Sequence, residues 1–187
     1  MNRKKQEPFR IYQLKVTLRG VRPPIWRRIL VPSHITLGEL HEVLQNAMGW
    51  TNSHLHEFVV GKRSFGPPVM GLEAEDESGV RLDEWLAKPK DQMTYVYDFG
   101  DDWQHQVLLE KVLEPEPGVR YPVLVAGKRA APPEDVGGVF GYAEFLDALA
   151  DPSHPEHEEY LDWVGDGFDP EAFDVEEANR ALEYSRR

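Results

Sequence analysis

The sequence predicts an α+β fold, a mixed or antiparallel sheet of about five strands with helices packed on it and a helical C-terminal region. Three observations predict it. Residues 11–20 alternate apolar and polar with period two, a capped amphipathic helix follows, and beyond residue 140 the apolar spacing becomes helical amid many acids. The element order reads ββαβββ and then helices, with a β-grasp-like core as one version.

In "IYQLKVTLRG", Tyr12, Leu14, Val16 and Leu18 fall on one side, and Gln13, Lys15, Thr17 and Arg19 on the other, the signature of a half-buried strand. After the turn "GVRPP", "IWRRILV" reads as its hairpin partner. "ITLGELHEVLQNAMGW" opens with a capping box, Thr36 to Glu39, carries Leu37, Leu40, Val43, Leu44, Ala47 and Met48 at helical spacing, and stops at Gly49. "HLHEFVVGK" predicts a third strand, residues 63–79 a long polar loop, and "RLDEWLA" one helical turn. "MTYVYDF" and "WQHQVLLEKVL" predict two more strands. With Gly100 and Asp101 as a primed two-residue turn, Asp98 would oppose Trp103 and Val96 would oppose His105. "GYAEFLDALA", "HPEHEEYLDWV" and "VEEANRALEYSRR" predict helices, the last capped by Asp174, and Tyr160, Trp163, Phe168 and Phe173 would dock this tail on the sheet.

The chain reads as one domain over residues 1–187: residues 1–113 form the sheet, residues 114–140 a connector and residues 141–187 an acidic helical segment. A domain of 187 residues buries about 70% of its extended surface, so a core forms without staples. With no cysteine there are no disulfides, thiolate zinc sites or cysteine nucleophiles. "MNRKKQEPFR" lacks the apolar core of a secretory signal, and no run reaches the roughly 18 apolar residues of a membrane span, so a cytoplasmic location without membrane contact is expected.

The net charge of −12 is uneven: residues 1–32 hold nine Lys or Arg against one acid, and residues 130–187 hold 16 acids against three Arg. The simplest expectation is that the two ends neutralise each other. The sharper one is a basic face for nucleic acid, built from Lys15, Arg19, Arg22, Arg27 and Arg28.

"RPPIWRRILVP", "TLGELHEVLQNAMGW", "YVYDFGDDWQHQV" and "APPEDVGGVFGY", in this order, resemble the plasmid pRiA4b ORF-3-like family, also labelled as passenger proteins of an insertion element, over residues 8–182. The resemblance implies a mixed α+β fold, carriage near mobile elements and no established reaction. Similar members carry cysteine near the P-P-E-D word, where this chain has Ala130 and Ala131, so no cysteine-dependent role carries over. A recombinase role is not carried over either, since Ser33 lacks the arginine-rich setting an activated serine needs.

Whichever face of the second strand meets the core carries an arginine, so a structural clasp is expected between Arg27 or Arg28 and Asp98, Glu134 or Asp135. Within "APPEDVGG", Glu134 and Asp135 are expected at the amino end of a helix, where backbone amides welcome negative charge. His54 and His56, two apart on a strand, could share a metal with Asp98 or His105, although core packing is the simpler use. The C-terminal acids do not follow the spacing of a calcium loop, and no phosphate-cradling glycine loop is present.

These observations favour a non-enzymatic binding or accessory module associated with mobile elements, with no cofactor and no assigned catalytic residue. The alternatives are a nucleic-acid-associated protein using the basic hairpin and a metal-dependent hydrolase around His54, His56, Asp98 and His105. A protein or a nucleic acid is the partner class left open.

Overall fold

The alternation of the first strand is obeyed residue by residue: Tyr12, Leu14, Val16 and Leu18 are buried, and Gln13, Lys15 and Thr17 are half-exposed. The computed structural model describes residues 9–165 and 167–184; the basic start 1–8 and residues 185–187, included in the charge and last-helix expectations, lie outside the described residues. The strands are β1 (Ile11–Leu18), β2 (Trp26–Pro32), β3 (His56–Val60), β4 (Arg63–Gly66), β5 (Glu75–Asp76), β6 (Gln92–Tyr97), β7 (Trp103–Leu113) and β8 (Val123–Lys128). The helices are α1 (Leu37–Met48), α2 (Gly138–Ala150), α3 (His157–Val164) and α4 (Val175–Tyr184), with a 3-10 turn at Leu82–Glu84.

Among the described residues, eight strands form one sheet in the order β5-β4-β3-β6-β7-β1-β2-β8, antiparallel except between β4 and β5. The sequence predicts about five. The additional strands lie in the segment read as a long loop, which contains β4 and β5, and in the segment read as a connector, which contains β8. All three are short and lie at or near a sheet edge, where solvent on one side permits polar residues and glycine.

Cross-strand pairs of β1, β2, β3, β6 and β7 line up the buried face: Leu14 opposes Ile29 and Leu109, Val16 opposes Val107, Tyr97 opposes Trp103, and Phe58 opposes Tyr95. α1 contributes Leu37, Leu40, Val43, Leu44, Ala47 and Met48 to the core. Its ends are as the residues dictate, with a complete Thr36–Glu39 capping box and Gly49 in the left-handed conformation at φ 78°. Asp174 Oδ1 accepts from the Glu176 and Glu177 amides and so caps α4.

The C-terminal aromatics divide their work. Tyr160, Trp163 and Phe168 gather around Phe145 of α2, whereas Phe173 lies under the Arg27 guanidinium, 3.9 Å from ring centroid to Cζ. Gly127 makes that second contact possible, because a Cβ there would stand 2.3 Å from the Phe173 ring.

The β6–β7 turn departs from the expected register. Asp98 and Asp102 both adopt left-handed backbone conformations, at φ 58° and 52°, so the loop runs over five residues rather than two. Asp98 Oδ1 accepts from the Gly100 and Asp101 amides, and the Asp102 amide donates to the Asp98 carbonyl at 2.7 Å. Tyr97 therefore opposes Trp103 and Tyr95 opposes His105. The displacement by one residue takes Asp98 out of the ladder and ties its amide to the Leu55 carbonyl, 2.9 Å away, beside the chain that leads into β3.

Candidate functional site

Four stretches of chain meet at this end of the sheet: residues 50–55 after α1, the β6–β7 loop, the connector around Glu134, and β5 with the residue after it. Gln45 and His41, polar residues on the apolar stripe of α1, fix the first of them. Tyr95 Oη accepts from Gln45 Nε2 at 3.0 Å and lies 2.8 Å from His41 Nδ1; His41 Nε2 lies 2.8 Å from Asn52 Oδ1, and the Asn52 amide donates to Gln45 Oε1 at 2.9 Å. Burial, reinforced by the neighbouring His56, lowers His41 to about 4, so its ring is neutral near pH 7. A neutral ring donates from Nε2 to Asn52 and accepts at Nδ1 from Tyr95.

His54 projects from this anchored loop toward three carboxylates. Its Nε2 lies 3.0 Å from Asp135 Oδ1, 3.6 Å from Asp98 Oδ2 and 3.8 Å from Glu134 Oε2. That nitrogen is shielded from solvent, yet forms no aligned hydrogen bond among the described residues. Asp98 and Asp135 both sit in the left-handed region, at φ 58° and 59°, which asparagine and aspartate tolerate best among side-chain-bearing residues. Glu134 is held from the other side: Thr51 donates to Oε1 from its amide at 2.8 Å, and Tyr97 Oη donates at 3.1 and 3.2 Å. Burial and then the Glu134 charge push Tyr97 up to about 12, which keeps its hydroxyl a donor.

His56 belongs to a neighbouring arrangement. It stacks on His41 with ring centroids 3.4 Å apart, and its Nε2 lies 2.9 and 3.1 Å from the two oxygens of buried Glu77. Between the two arrangements opens a cleft of about 450 Å³, lined by His41, Asn52, Ser53, His54, His56 and Glu77 among others. Nothing in the sequence singles out Glu77, in a polar loop, or Thr51. His41 does carry a signal, since it falls on the apolar stripe of α1 without being apolar.

The candidate residues of the metal-dependent alternative, His54, His56, Asp98 and His105, do not come together as one set. His54 and Asp98 come together, but Asp135 joins them instead of His56 and His105. β3 begins at His56, so His54 lies in the preceding loop and the two do not share a strand face. His105 is fully buried with Nδ1 3.3 Å from the Tyr95 carbonyl, and burial lowers it to about 4.

The arginine clasp does not form either. Arg27 is on the core face, where Nε donates to the Ala47 carbonyl at 2.8 Å and Nη1 to the carbonyls of Trp26 and Lys128 at 3.0 and 3.1 Å. Carbonyls at the end of α1 and along β8 thus take the donors that carboxylates were expected to take. Burial alone lowers Arg27 to about 10, still charged at neutral pH. Arg28, on the opposite face, grips Glu110 of β7 through Nε and Nη2 at 2.7 and 3.0 Å. Glu134 and Asp135 also stop short of a helix start: α2 begins at Gly138, and it is Asp101 Oδ2 that accepts from the Gly137 amide at 3.1 Å. Gly138, at φ 70°, lets the two loops touch, for a Cβ there would lie 2.5 Å from the Asp101 carbonyl oxygen.

The basic-hairpin candidates scatter. Lys15 and Arg28 flank Trp26 at 5.2 and 5.1 Å from its ring, Arg22 is exposed on the turn, the Arg19 amide bonds Gln104, and Arg27 is internal. The described ion pairs of the N-terminal hairpin run to β7 and the residue after it, Arg28 to Glu110 and Arg10 to Glu114, instead of to the acidic C-terminal segment.

The model of the family described as plasmid pRiA4b ORF-3-like protein matches residues 10–177. The chain belongs to that family. It is 41% identical to the uncharacterized protein y4hQ of Sinorhizobium fredii (strain NBRC 101917 / NGR234), with 92% of this chain and 91% of that protein covered. It is also similar to the crystal structure of a protein of unknown function, MM3350, from Methanosarcina mazei Go1: TM-score 0.83, 42% identity, 91% of this chain and 98% of that chain covered. In this family member, Ala130 and Ala131 line a recess beside Arg27 and Phe173. Among the described residues, no helix is long and apolar enough to cross a membrane.

Proposed function

We propose that this protein is a non-enzymatic binding module, an accessory of mobile elements working in the cytoplasm, and that its ligand occupies the cleft bordered by His54, His56 and Glu77. One observation carries this reading: polar groups from separate stretches converge on a cleft whose walls are locked by their own hydrogen bonds through His41, Tyr95, Gln45 and Asn52. Walls fixed before the ligand arrives lose little freedom on binding, the condition for affinity with few contacts. The cleft suits a small polar ligand, since its rim offers amide, hydroxyl, imidazole and carboxylate groups.

The test is a thermal-shift panel of amino acids, nucleotides and sugar phosphates. A ligand at 100 times its dissociation constant stabilises the fold by about 2.7 kcal/mol. One chemical class is expected to raise the melting temperature of the wild type and not of Asn52→Ala, while a panel without effect removes the reading.

A second reading is favoured by Trp26, which lies between Lys15 and Arg28 on the open face of the sheet. A cationic surface around a half-buried aromatic ring suits single-stranded nucleic acid. Quenching of tryptophan fluorescence by a single-stranded oligonucleotide, falling steeply with salt and absent in Trp26→Ala, supports it. No quenching at low salt removes it.

A further inference from the structure

His54, Asp98 and Asp135 arrive from three places in the chain, and nothing about the fold alone requires their tips to meet. The ion pairs described for Asp98, Glu134 and Asp135 all run to one group, the His54 ring. Up to three negative charges therefore converge on a side chain that carries at most one positive charge. Like charges at this spacing repel, and the arrangement is stabilised by whatever cation it holds.

The distances select the kind of cation. Nitrogen and oxygen ligands stand about 2.1 Å from a zinc-sized ion, which for a tetrahedral arrangement places neighbouring ligand atoms about 3.4 Å apart. The separations of 3.0 and 3.6 Å from His54 Nε2 to Asp135 Oδ1 and Asp98 Oδ2 bracket that value, and the three ligand atoms lie within 4.8 Å of one another. His54 Nε2 is the atom whose lone pair a metal would take, and it is shielded without a hydrogen bond among the described residues. Asp98 is fixed for the task, because its Oδ1 is engaged by the Gly100 and Asp101 amides while Oδ2 turns to His54. The Glu134 carboxylate, held by Thr51 and Tyr97, adds negative potential at the rim.

We propose that His54, Asp98 and Asp135 form a binding site for one divalent transition cation of the Mn²⁺ or Zn²⁺ class. One imidazole and two carboxylates suit such ions better than calcium, which takes six to eight oxygen ligands. Three protein ligands leave coordination positions open, and His54 also lines the cleft, so a bound ion would stand at its edge. The claim does not rest on the cleft holding an organic ligand: a cation without that ligand, or that ligand without a cation, would separate the two readings.

The experiment uses the full chain, stripped with EDTA and dialysed against MnCl₂ or, separately, ZnCl₂, with bound metal quantified by elemental analysis and Mn²⁺ followed by loss of its free-ion paramagnetic resonance signal. We expect one equivalent per chain, and at least tenfold weaker binding in His54→Ala, Asp98→Asn and Asp135→Asn. Glu183→Gln, which removes an exposed acid on α4, keeps wild-type affinity. Asp135 is exposed, so its substitution leaves the fold intact and decides the matter even if Asp98→Asn unfolds by circular dichroism. No stoichiometric binding of either ion, or binding unchanged in His54→Ala and Asp135→Asn, overturns the proposal and leaves a structural histidine–carboxylate cluster.

Discussion

Arg27 and His54 are both polar side chains drawn toward a sheet lined with aliphatic and aromatic residues, and they end in opposite states. The Arg27 guanidinium donates to three carbonyls through Nε and Nη1 and sits with Cζ 3.9 Å from the Phe173 ring centroid, so its bonding is largely used up within the fold. His54 Nε2 faces carboxylate oxygens and closes no hydrogen bond among the described residues. A saturated polar group at the join of α1, β2 and β8 does structural work. An unsaturated one, aimed at converging negative charge beside a cleft, has capacity left for something outside the chain.

The largest effect expected of a single substitution tests the saturated half. Arg27→Ala leaves three carbonyls without their donor and strips the Phe173 ring, so it should destabilise the fold by about 3 kcal/mol or more. The urea midpoint should fall with little change in slope. A near-neutral Arg27→Ala would break the comparison, because it would mean that saturation is incidental.

Next comes pH. Burial depresses His41 and His105 from 6.5 to about 4 in the folded state, so the unfolded chain binds protons first as pH falls. Their contribution is fully present above pH 6.5 and is lost between 6.5 and about 4. Each pH unit in that window removes about 1.4 kcal/mol per histidine. Arg27 and Arg19 act in the same direction on His105, and His56 on His41. Unfolding free energies measured at pH 7, 5.5 and 4.5 check this, and a flat profile would show that these rings are charged or exposed.

Tyr97→Phe sharpens the comparison at the other site. It removes the donor to Glu134 and the acceptor of the Ser53 amide, at a cost of about 1 kcal/mol, and should loosen Mn²⁺ binding a few-fold by freeing Glu134. Arg28→Ala is the smallest: its bidentate pair with Glu110 is partly solvated, and its loss should cost less than about 1 kcal/mol in the same urea experiment. Equal losses from Arg27→Ala and Arg28→Ala would contradict the distinction between the two faces of β2.

What the sequence made legible follows the same division. Period-two alternation in β1 and the capping box of α1 are local signals, and local structure obeys them. β4 and β5 were hidden because a four-residue and a two-residue edge strand carry too little pattern to stand out from a loop. His54, Asp98 and Asp135 are visible as residues but not as a set. Their meeting depends on a five-residue β6–β7 loop that moves Asp98 out of the ladder, and on a connector whose acids turn away from the arginines. Charge complementarity says that an acid will find a partner; it does not say which one, and here carbonyls and Glu110 claimed the arginines first.

The central claim is that the unsaturated site holds a metal ion, and the most direct measurement is a crystal of the full chain soaked in MnCl₂ and examined for anomalous scattering. One strong peak is expected within about 2.3 Å of His54 Nε2 and of a carboxylate oxygen from each of Asp98 and Asp135. A peak elsewhere, or His54 closed onto Asp135 with no peak between them, would contradict it.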